Sequence, residues 1–324
     1  MDRMIFFLLL PSLSLAGPLT PEENARLQRA CGRTFQSFTS KSVNTNNATR
    51  FEAPFAVAIR SNTTSYNILQ KSGARCSGTL ISPRHVITAA HCVERVCHDS
   101  SIERSGCVKN QLVVMSTSCQ QNKRGSVVCD SKSYVRVIRA FMSNIFHSAH
   151  KAYGDVAVYE LEHDVLLGET VWPACINTID RPPGSLVVMF GYGQNNDYSK
   201  KGSGILRRHP STIVSHSKCK TYGHVNWIRG IDVICTHHPR GFACGGDSGS
   251  GQVFMKNGKA FITGALSYGK KCHADMLPEE IMDFSASTIY HIRWICAATG
   301  ICPNRILTED EKKVLAQEYL VIER

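Results

Sequence analysis

The 324-residue sequence has no long apolar run beyond its N-terminus, and no later stretch approaches the ~20 apolar residues that span a bilayer. A multipass membrane protein is therefore excluded. The sequence also lacks internal repeats, low-complexity tracts and long basic runs interleaved with aromatic residues, so we expect no nucleic acid partner. Charged residues make up 19% and apolar residues 43%, which is a globular composition. The formal charge of +11 is consistent with solubility or with acidic binding partners.

What the sequence does contain is cysteine, with 14 residues, a high and even number for a cytosolic chain. The N-terminus suggests why. Arg3 is followed by an apolar core over residues 5–10 and by a small-x-small cleavage site at residues 14–16. We predict that residues 1–16 are a signal peptide, that the protein is secreted, and that its cysteines form disulfides; an unprocessed anchor is the alternative. Two Asn-x-Thr sequons become glycosylation candidates, Asn47 and Asn62.

The pattern along the chain changes at Pro54, after which short apolar runs alternate with Gly, Pro, Asn and Ser. This pattern predicts an all-β sandwich or barrel. A basic segment with the pairs Lys200-Lys201 and Arg207-Arg208 is expected in an exposed loop, as solvated charges or as a site of proteolytic nicking. The predicted strands cover six runs, at 55–59, 112–115, 134–138, 156–161, 186–190 and 261–266.

Three segments have helical signals. A capping box at Thr20 and Glu23 predicts a short helix that ends at Arg29. Apolar residues at helical spacing predict a second helix over 288–298, and a further capping box predicts a third over 308–320. We expect the last two to dock on the β body, although the third could instead bind a partner.

Three motifs carry candidate chemistry. They present, in order, His91 in Ala-Ala-His-Cys, Asp155 at the start of an apolar run, and Ser248 in Gly-Gly-Asp-Ser-Gly. Each alone is typical of a packed core pair, a turn or a loop. Together they suit nucleophilic catalysis, because a serine hydroxyl needs an imidazole to take its proton and the imidazole needs a buried carboxylate to set its tautomer. The glycine before the aspartate allows the N–H groups of Gly246 and Ser248 to form an oxyanion hole.

These motifs resemble the chymotrypsin/trypsin family of secreted serine endopeptidases over roughly residues 50–296. The resemblance implies two six-stranded antiparallel β-barrels, about 50–165 and 180–287, with the site between them and C-terminal helices. Residues 17–49 would then be a pro-segment and residues 297–324 a C-terminal helical extension. The opening Leu-Thr-Pro-Glu-Glu-Asn and the following Cys-Gly resemble a nematode-expanded branch of trypsin-like proteins.

The resemblance also implies roles for further residues. Gly191-Tyr192-Gly193 is similar to the family's Gly-Trp-Gly turn, and Ser267, Tyr268 and Gly269 are similar to the strand that binds substrate backbone and supports the buried aspartate. It implies four disulfides, Cys31–Cys175, Cys76–Cys92, Cys219–Cys235 and Cys244–Cys272.

Six cysteines remain, and spacing alone leaves their connectivity open. We expect neighbours in sequence to close small loops. A zinc site at Cys97, His98 and Cys107 would lack the paired short spacings of such sites, so we expect no metal and no other cofactor. The expected pairs are Cys97–Cys107, Cys119–Cys129 and Cys296–Cys302.

The chain departs from the family at two places. Family zymogens are cut before Ile/Val-Val-Gly-Gly, and the new ammonium group pairs with the aspartate before the nucleophile, which is Asp247 here. Residues 41–45 read Lys-Ser-Val-Asn-Thr instead, so either Lys41 is cut and Ser42 serves less well, or Asp247 is satisfied another way, or the domain never fully activates. In the family, the residue six before the nucleophile lines the pocket floor, where an acidic residue would suit Arg or Lys; here that residue is Phe242. It would leave a shallow apolar pocket or plug it, with Asp283 as a candidate for the pocket wall.

The leading hypothesis is a monomeric secreted serine endopeptidase that does not prefer Arg or Lys. Its implied partners are a protein or peptide substrate and, as a second class, a proteinaceous inhibitor. The alternative is a weak or inactive homologue that acts as a secreted binding or regulatory module. A small-molecule esterase is disfavoured because the strand–Gly-x-Ser-x-Gly–helix context is missing.

Overall fold

The computed structural model describes the chain in segments, and several residues singled out above lie outside them. These are most of the predicted signal peptide, the segment 41–45, Asn62, Phe242 and four cysteines, Cys107, Cys119, Cys129 and Cys272. Among the described helices, none is long and apolar enough to cross a membrane. The described residues are 16–36, 47–61, 74–98, 108, 111–115, 120–121, 127–128, 134–146, 153–194, 205–222, 232–238, 243–269 and 282–323.

The first half of the chain forms a closed antiparallel β-barrel. Its order is β7-β4-β1-β2-β3-β8, and β8 pairs again with β7 to close the cylinder. The two-residue strands β5 and β6 form a separate hairpin. The strands are β1 Ala56–Ser61, β2 Cys76–Ser82, β3 His85–Thr88, β4 Gln111–Met115, β5 Gln120–Gln121, β6 Val127–Val128, β7 Tyr134–Ser143 and β8 Ala157–Leu161.

The second half forms a second closed barrel of the same kind. Its order is β10-β11-β12-β15-β14-β13, with β13 returning to β10, while β9 adds in parallel to β14. Two six-stranded antiparallel barrels are the chymotrypsin-type fold, so the predicted fold is confirmed. The strands are β9 Cys175–Ile176, β10 Leu186–Gly191, β11 Arg207–Ile213, β12 Val233–His237, β13 Gly251–Lys256, β14 Lys259–Gly269 and β15 Met282–Ser287.

Two features of the strands differ from the sequence-based expectation. β7 continues beyond the predicted run because its second half pairs on both sides, so that Arg139 lies opposite both Glu160 and Glu323. The pair Arg207-Arg208 does not lie in an exposed loop, which corrects the expectation for this pair, while Lys200-Lys201 lies outside the described residues. Arg207 and Arg208 begin β11, and Arg208 forms a buried ion pair with Glu52 that offsets the cost of burying its charge.

The N-terminal helix α1, Pro21–Ala30, has the predicted capping box: the Thr20 hydroxyl accepts the Glu23 N–H, and the Glu23 carboxylate accepts the Thr20 N–H. The helix is attached to the body. Asn24 exchanges two hydrogen bonds with the backbone of Cys302, at 3.1 and 3.0 Å. Residues 17–36 therefore pack as part of the folded domain.

The other helices are α2 Ala90–His98, α3 His216–Tyr222, α4 Thr288–Thr299 and α5 Glu309–Leu315. α4 confirms the helix predicted over 288–298. The prediction of one helix over 308–320 is wrong beyond Leu315: a 3₁₀ turn follows, and the strand β16, Tyr319–Glu323, pairs with β7. The Tyr319 ring packs on Phe141 and Trp294, so packing against the barrel ends the helix.

Disulfides link elements that are distant in sequence. The bond from Cys31 attaches the N-terminal segment, residues 17–36, to the body, and the bond from Cys76 joins β2 to α2 next to His91. Cys244 is also disulfide-bonded. The expected partners of Cys97, Cys119 and Cys244 lie outside the described residues. The four pairs seen are all among those expected, Cys31–Cys175, Cys76–Cys92, Cys219–Cys235 and Cys296–Cys302.

Candidate active site

A single buried carboxylate holds the candidate base. Asp155, which is 1% exposed, accepts the backbone N–H of His91 at 2.8 Å through one oxygen and contacts the ring Nδ1 at 2.7 Å through the other. Because an ionised carboxylate only accepts hydrogen bonds, the ring proton is assigned to Nδ1. Nε2 is then the unprotonated nitrogen, as general base catalysis requires.

Ser267 provides a third donor to the same carboxylate. Its hydroxyl bonds the Asp155 oxygen that also contacts the ring of His91. Ser267 lies where the pairing of β14 with β15 shifts register, between Leu266 and Tyr268. Bulges of this kind reorient a side chain, and here the hydroxyl contacts a carboxylate carried by the other barrel.

The loop that carries Ser248 is held by both barrels. The Ser248 carbonyl accepts the N–H of Ser77 at 2.7 Å, and the Ser77 hydroxyl donates to the Gly246 carbonyl at 2.9 Å. On the other side, the N–H of Gly249 donates to Leu266 at 2.7 Å. The loop therefore lies between β2 and β14. The residue next to Ser77 in β2 is Cys76, which is disulfide-bonded to the neighbour of His91, and the residue next to Leu266 in β14 is Ser267, which bonds Asp155.

The two glycines around the candidate nucleophile have conformations that favour glycine. Gly246 has φ +98° and Gly249 has φ +83°. A Cβ at Gly249 would lie 2.2 Å from the hydroxyl of Thr88. Within the described residues, the N–H groups of Gly246 and Ser248 donate to no protein acceptor. Both donors are therefore available to an oxyanion.

The structure brings His91 and Asp155 into contact, but the described part of the chain contains no hydrogen bond between His91 and Ser248. The Nε2 atom of His91 is buried and has no hydrogen-bond partner there. Catalytic contacts are often long without substrate and tighten when it binds. The ring nitrogens of His91 also lie near Cys76 and Cys92, but those sulfurs form a disulfide and offer no thiolate to a metal.

A trypsin family model matches residues 42–295, which is most of the chain. The chain belongs to the trypsin family. Its relatives include trypsin delta and trypsin gamma of Drosophila erecta, each 28% identical over 207 residues, covering 63% of this chain and 72% of the relative. Trypsin alpha of Drosophila melanogaster is 27% identical with the same coverage. These matches support a serine protease. Membership of the nematode branch stays a prediction.

Asp247, which the resemblance to the family implies as the partner of a new N-terminus, has an enclosed carboxylate. The Asp247 carboxylate accepts N–H groups from Gly193 at 2.8 Å and Cys244 at 2.9 Å. A Cβ at Gly191 or Gly193 would lie 2.2 or 2.3 Å from its oxygens, which explains why the turn 191–193 has glycine at both ends. The segment 41–45 lies outside the described residues, so a cut at Lys41 and the pairing of Asp247 with a new N-terminus both stay predictions.

Burial raises the pKa of Asp247 to about 6, from an ordinary value of 3.8. The N–H groups of Cys244 and Gly193 and the charge of Arg207 act in the opposite direction, while the charge of Asp283 raises the pKa further. A folded-state pKa above the unfolded one means that the folded state favours the protonated carboxyl. The contribution of the protonated Asp247 carboxyl to the free energy of unfolding is therefore fully present below pH about 3.8, and it is lost as the pH rises through about 6.

We expect this loss to be visible against Asp247→Asn, whose amide does not titrate. The free energy of unfolding of the unsubstituted chain, relative to that of Asp247→Asn, should fall by about 2 kcal/mol from pH about 4 to about 7. Urea unfolding of both proteins across this range measures the difference. A difference that stays constant with pH would contradict the raised pKa.

The strand end that is expected to bind substrate lies next to a buried His–Asp contact that the sequence did not indicate. Asp283 lies opposite Gly269 in the pairing of β15 with β14, and a Cβ on Gly269 would approach its carboxylate to 2.4 Å. The carboxylate is buried and paired with Nε2 of His238. Asp283 thus lies beneath the strand end expected to bind substrate, and its carboxyl group is already hydrogen-bonded to His238. Tyr268 and Gly269 at that strand end are half-buried.

A second buried His–Asp pair was also missed. Asp232 precedes β12, and His291 lies on α4; their side chains meet at 2.9 Å. Neither residue belongs to a motif, and they are 59 positions apart. The available signal was a histidine among the apolar residues of a helix.

Proposed function

We propose that the chain is a secreted serine endopeptidase that uses Ser248, His91 and Asp155. The observation that carries the proposal is the Asp155 carboxylate, which accepts both the backbone N–H and the ring Nδ1–H of His91. This arrangement leaves Nε2 as the proton acceptor. Membership of the trypsin family supports the same chemistry.

In the proposed reaction, Nε2 of His91 takes the Ser248 hydroxyl proton as Oγ attacks the peptide carbonyl. The C–N bond then breaks, and His91 returns the proton to the departing amine. A water molecule attacks the resulting ester, His91 takes a proton from the water, and Ser248 leaves with that proton restored. Asp155 stays ionised throughout and stabilises the imidazolium.

The N–H groups of Gly246 and Ser248 bind the oxyanion of each tetrahedral intermediate. The enclosed Asp247 between them supports this role, because its contacts with Gly193 and Cys244 hold the loop in one conformation. Losing one oxyanion donor typically costs about 3–4 kcal/mol in the transition state.

The end of β14 would bind the substrate backbone, at Ser267, Tyr268 and Gly269. We propose that the preferred substrate residue is neither Arg nor Lys. Phe242 supplies no negative charge at the expected pocket floor, and His238 already pairs with Asp283. A substrate cation would have to compete with that buried pair.

Secretion is proposed from the N-terminal sequence and agrees with the disulfides that the domain contains, because such bonds persist in oxidising compartments. Glycosylation at Asn47 is sterically open, since this residue is exposed at the edge of β11. We further propose a monomer that acts on protein or peptide substrates and that a proteinaceous inhibitor would block.

The test is labelling of the secreted protein with a fluorophosphonate probe, before and after limited proteolysis. We expect labelling that maps to Ser248 and disappears in Ser248→Ala. Ser250→Ala is the matched control. It removes a hydroxyl from the same loop, and this hydroxyl has no hydrogen-bond partner among the described residues. It should label like the unsubstituted protein.

Absence of labelling in both states would favour the non-catalytic binding module. Cleavage of a peptide library by the labelled form tests the specificity proposal. A strong preference for Arg or Lys would contradict the argument from Phe242 and Asp283.

A further inference from the structure

Three buried side chains connect helix α4 to the residue that precedes Asp155. The indole N–H of Trp294 donates to Nδ1 of His291 at 2.9 Å, and Nε2 of His291 contacts the Asp232 carboxylate at 2.9 Å. The same carboxylate oxygen accepts the N–H of Gly154 at 2.8 Å. Asp232, His291 and Trp294 are 0%, 2% and 2% exposed.

The chemistry of the indole determines the direction of this chain of hydrogen bonds. Trp294 can only donate, so Nδ1 of His291 must accept and Nε2 must carry the ring proton. These two contacts therefore select one ring tautomer, with its Nε2–H donated to Asp232.

Gly154 and Asp155 form a tight turn at the end of this chain of hydrogen bonds. Gly154 has φ +66°, and a Cβ there would lie 2.7 Å from Ile145. The N–H of Val156 bonds back to the Gly154 carbonyl at 2.7 Å, so Asp155 is the central residue of a three-residue turn. The direction of the Asp155 side chain depends on how this turn is oriented. The contact from Gly154 to Asp232 ties the turn to the second barrel.

We propose that Asp232 and His291 are positioning residues for the catalytic triad. Asp232 anchors the turn that aims Asp155 at His91, and His291 and Trp294 hold Asp232 in place from α4. The inference rests on the proposed function. It adds that the geometry of the His91–Asp155 contact depends on a buried pair contributed by the other barrel and the C-terminal helix.

Two substitutions separate positioning from packing. One carboxylate oxygen of Asp232 accepts both hydrogen bonds, whereas the other has no partner among the described residues. Asp232→Asn can place its amide oxygen where the accepting carboxylate oxygen of Asp232 lies, and it can therefore keep the bonds from Gly154 and His291. Asp232→Leu keeps the volume and loses them. Ile301→Ala, a buried change beyond the end of α4, is the control for lost stability alone.

We expect Asp232→Leu to lower the fluorophosphonate rate constant per active site roughly 10- to 100-fold. The apparent pKa of His91 in the pH–rate profile should also fall, because a poorly aimed carboxylate stabilises the imidazolium less. Asp232→Asn should retain nearly the full rate. Ile301→Ala should lower only the fraction of sites that label. Equal rates and profiles in all variants would overturn the proposal.

A readout independent of activity distinguishes this proposal from the proposed function. Amide hydrogen exchange at Gly154 and His91, measured by NMR, should accelerate in Asp232→Leu and stay slow in Asp232→Asn. If the chain never labels but exchange behaves this way, the proposed function fails and the positioning role stands. If the chain labels and exchange at both amides is unchanged in Asp232→Leu, the positioning role fails.

Discussion

Asp155→Asn is expected to lower the rate of fluorophosphonate labelling about 10⁴-fold while the protein stays folded. The carboxylate accepts three donors, from the His91 backbone, the His91 ring and Ser267. An asparagine has a single acceptor oxygen, so its amide group must face at least one of those donors. If the amide NH₂ faced Nδ1 of His91, it would favour the tautomer with the ring proton on Nε2. In that tautomer Nε2 cannot accept the proton of Ser248.

The measurement compares labelling rates with those of Asp164→Asn. Asp164 is a partly exposed carboxylate that pairs with Arg84, away from the site. This control should label at the unsubstituted rate. If Asp155→Asn labelled as fast as Asp164→Asn, Asp155 would have no part in activating the nucleophile.

Gly193→Ala is expected to have the second largest effect, a decrease of about 10²- to 10³-fold in labelling rate. The new Cβ would lie 2.3 Å from one oxygen and 2.4 Å from the carboxyl carbon of Asp247. The carboxylate of Asp247 must therefore move. The backbone of Asp247 lies between Gly246 and Ser248, the two oxyanion donors, so it would move with the side chain. The loop conformation that aligns Gly246 and Ser248 would be lost.

Gly168→Ala is the matched control, because a Cβ at this position would contact nothing within 4 Å. We expect it to label normally. Circular dichroism of both variants would show whether the barrels remain folded. Equal labelling of the two alanine variants would show that the enclosure of Asp247 does not control the oxyanion hole.

Much of the fold could be predicted because its signals are local or belong to a family. Turn residues between short apolar runs indicated the β class, and the capping boxes marked the beginnings of α1 and α5 correctly. The end of α5 could not be predicted, because Tyr319 leaves the helix to pack on Phe141 and Trp294, which are distant in sequence. A capping box indicates where a helix begins and does not determine its length.

The site divides in a similar way. His91, Asp155 and Ser248 lie in short motifs that can be recognised without a structure. The pairs Asp232–His291 and His238–Asp283 could not be, because each joins residues that are far apart in the chain and outside any motif. Buried polar residues are informative only once their partners are known.

The most direct test of the proposed proton relay is a crystal structure of the fluorophosphonate-treated protein. We predict phosphorus bonded to Oγ of Ser248, its oxygen about 2.7–3.1 Å from the N–H groups of Gly246 and Ser248, and Nε2 of His91 within hydrogen-bond reach of the adduct. An adduct on another side chain would contradict the account. So would a Ser248 adduct whose oxygen faces neither N–H group and lies out of reach of His91.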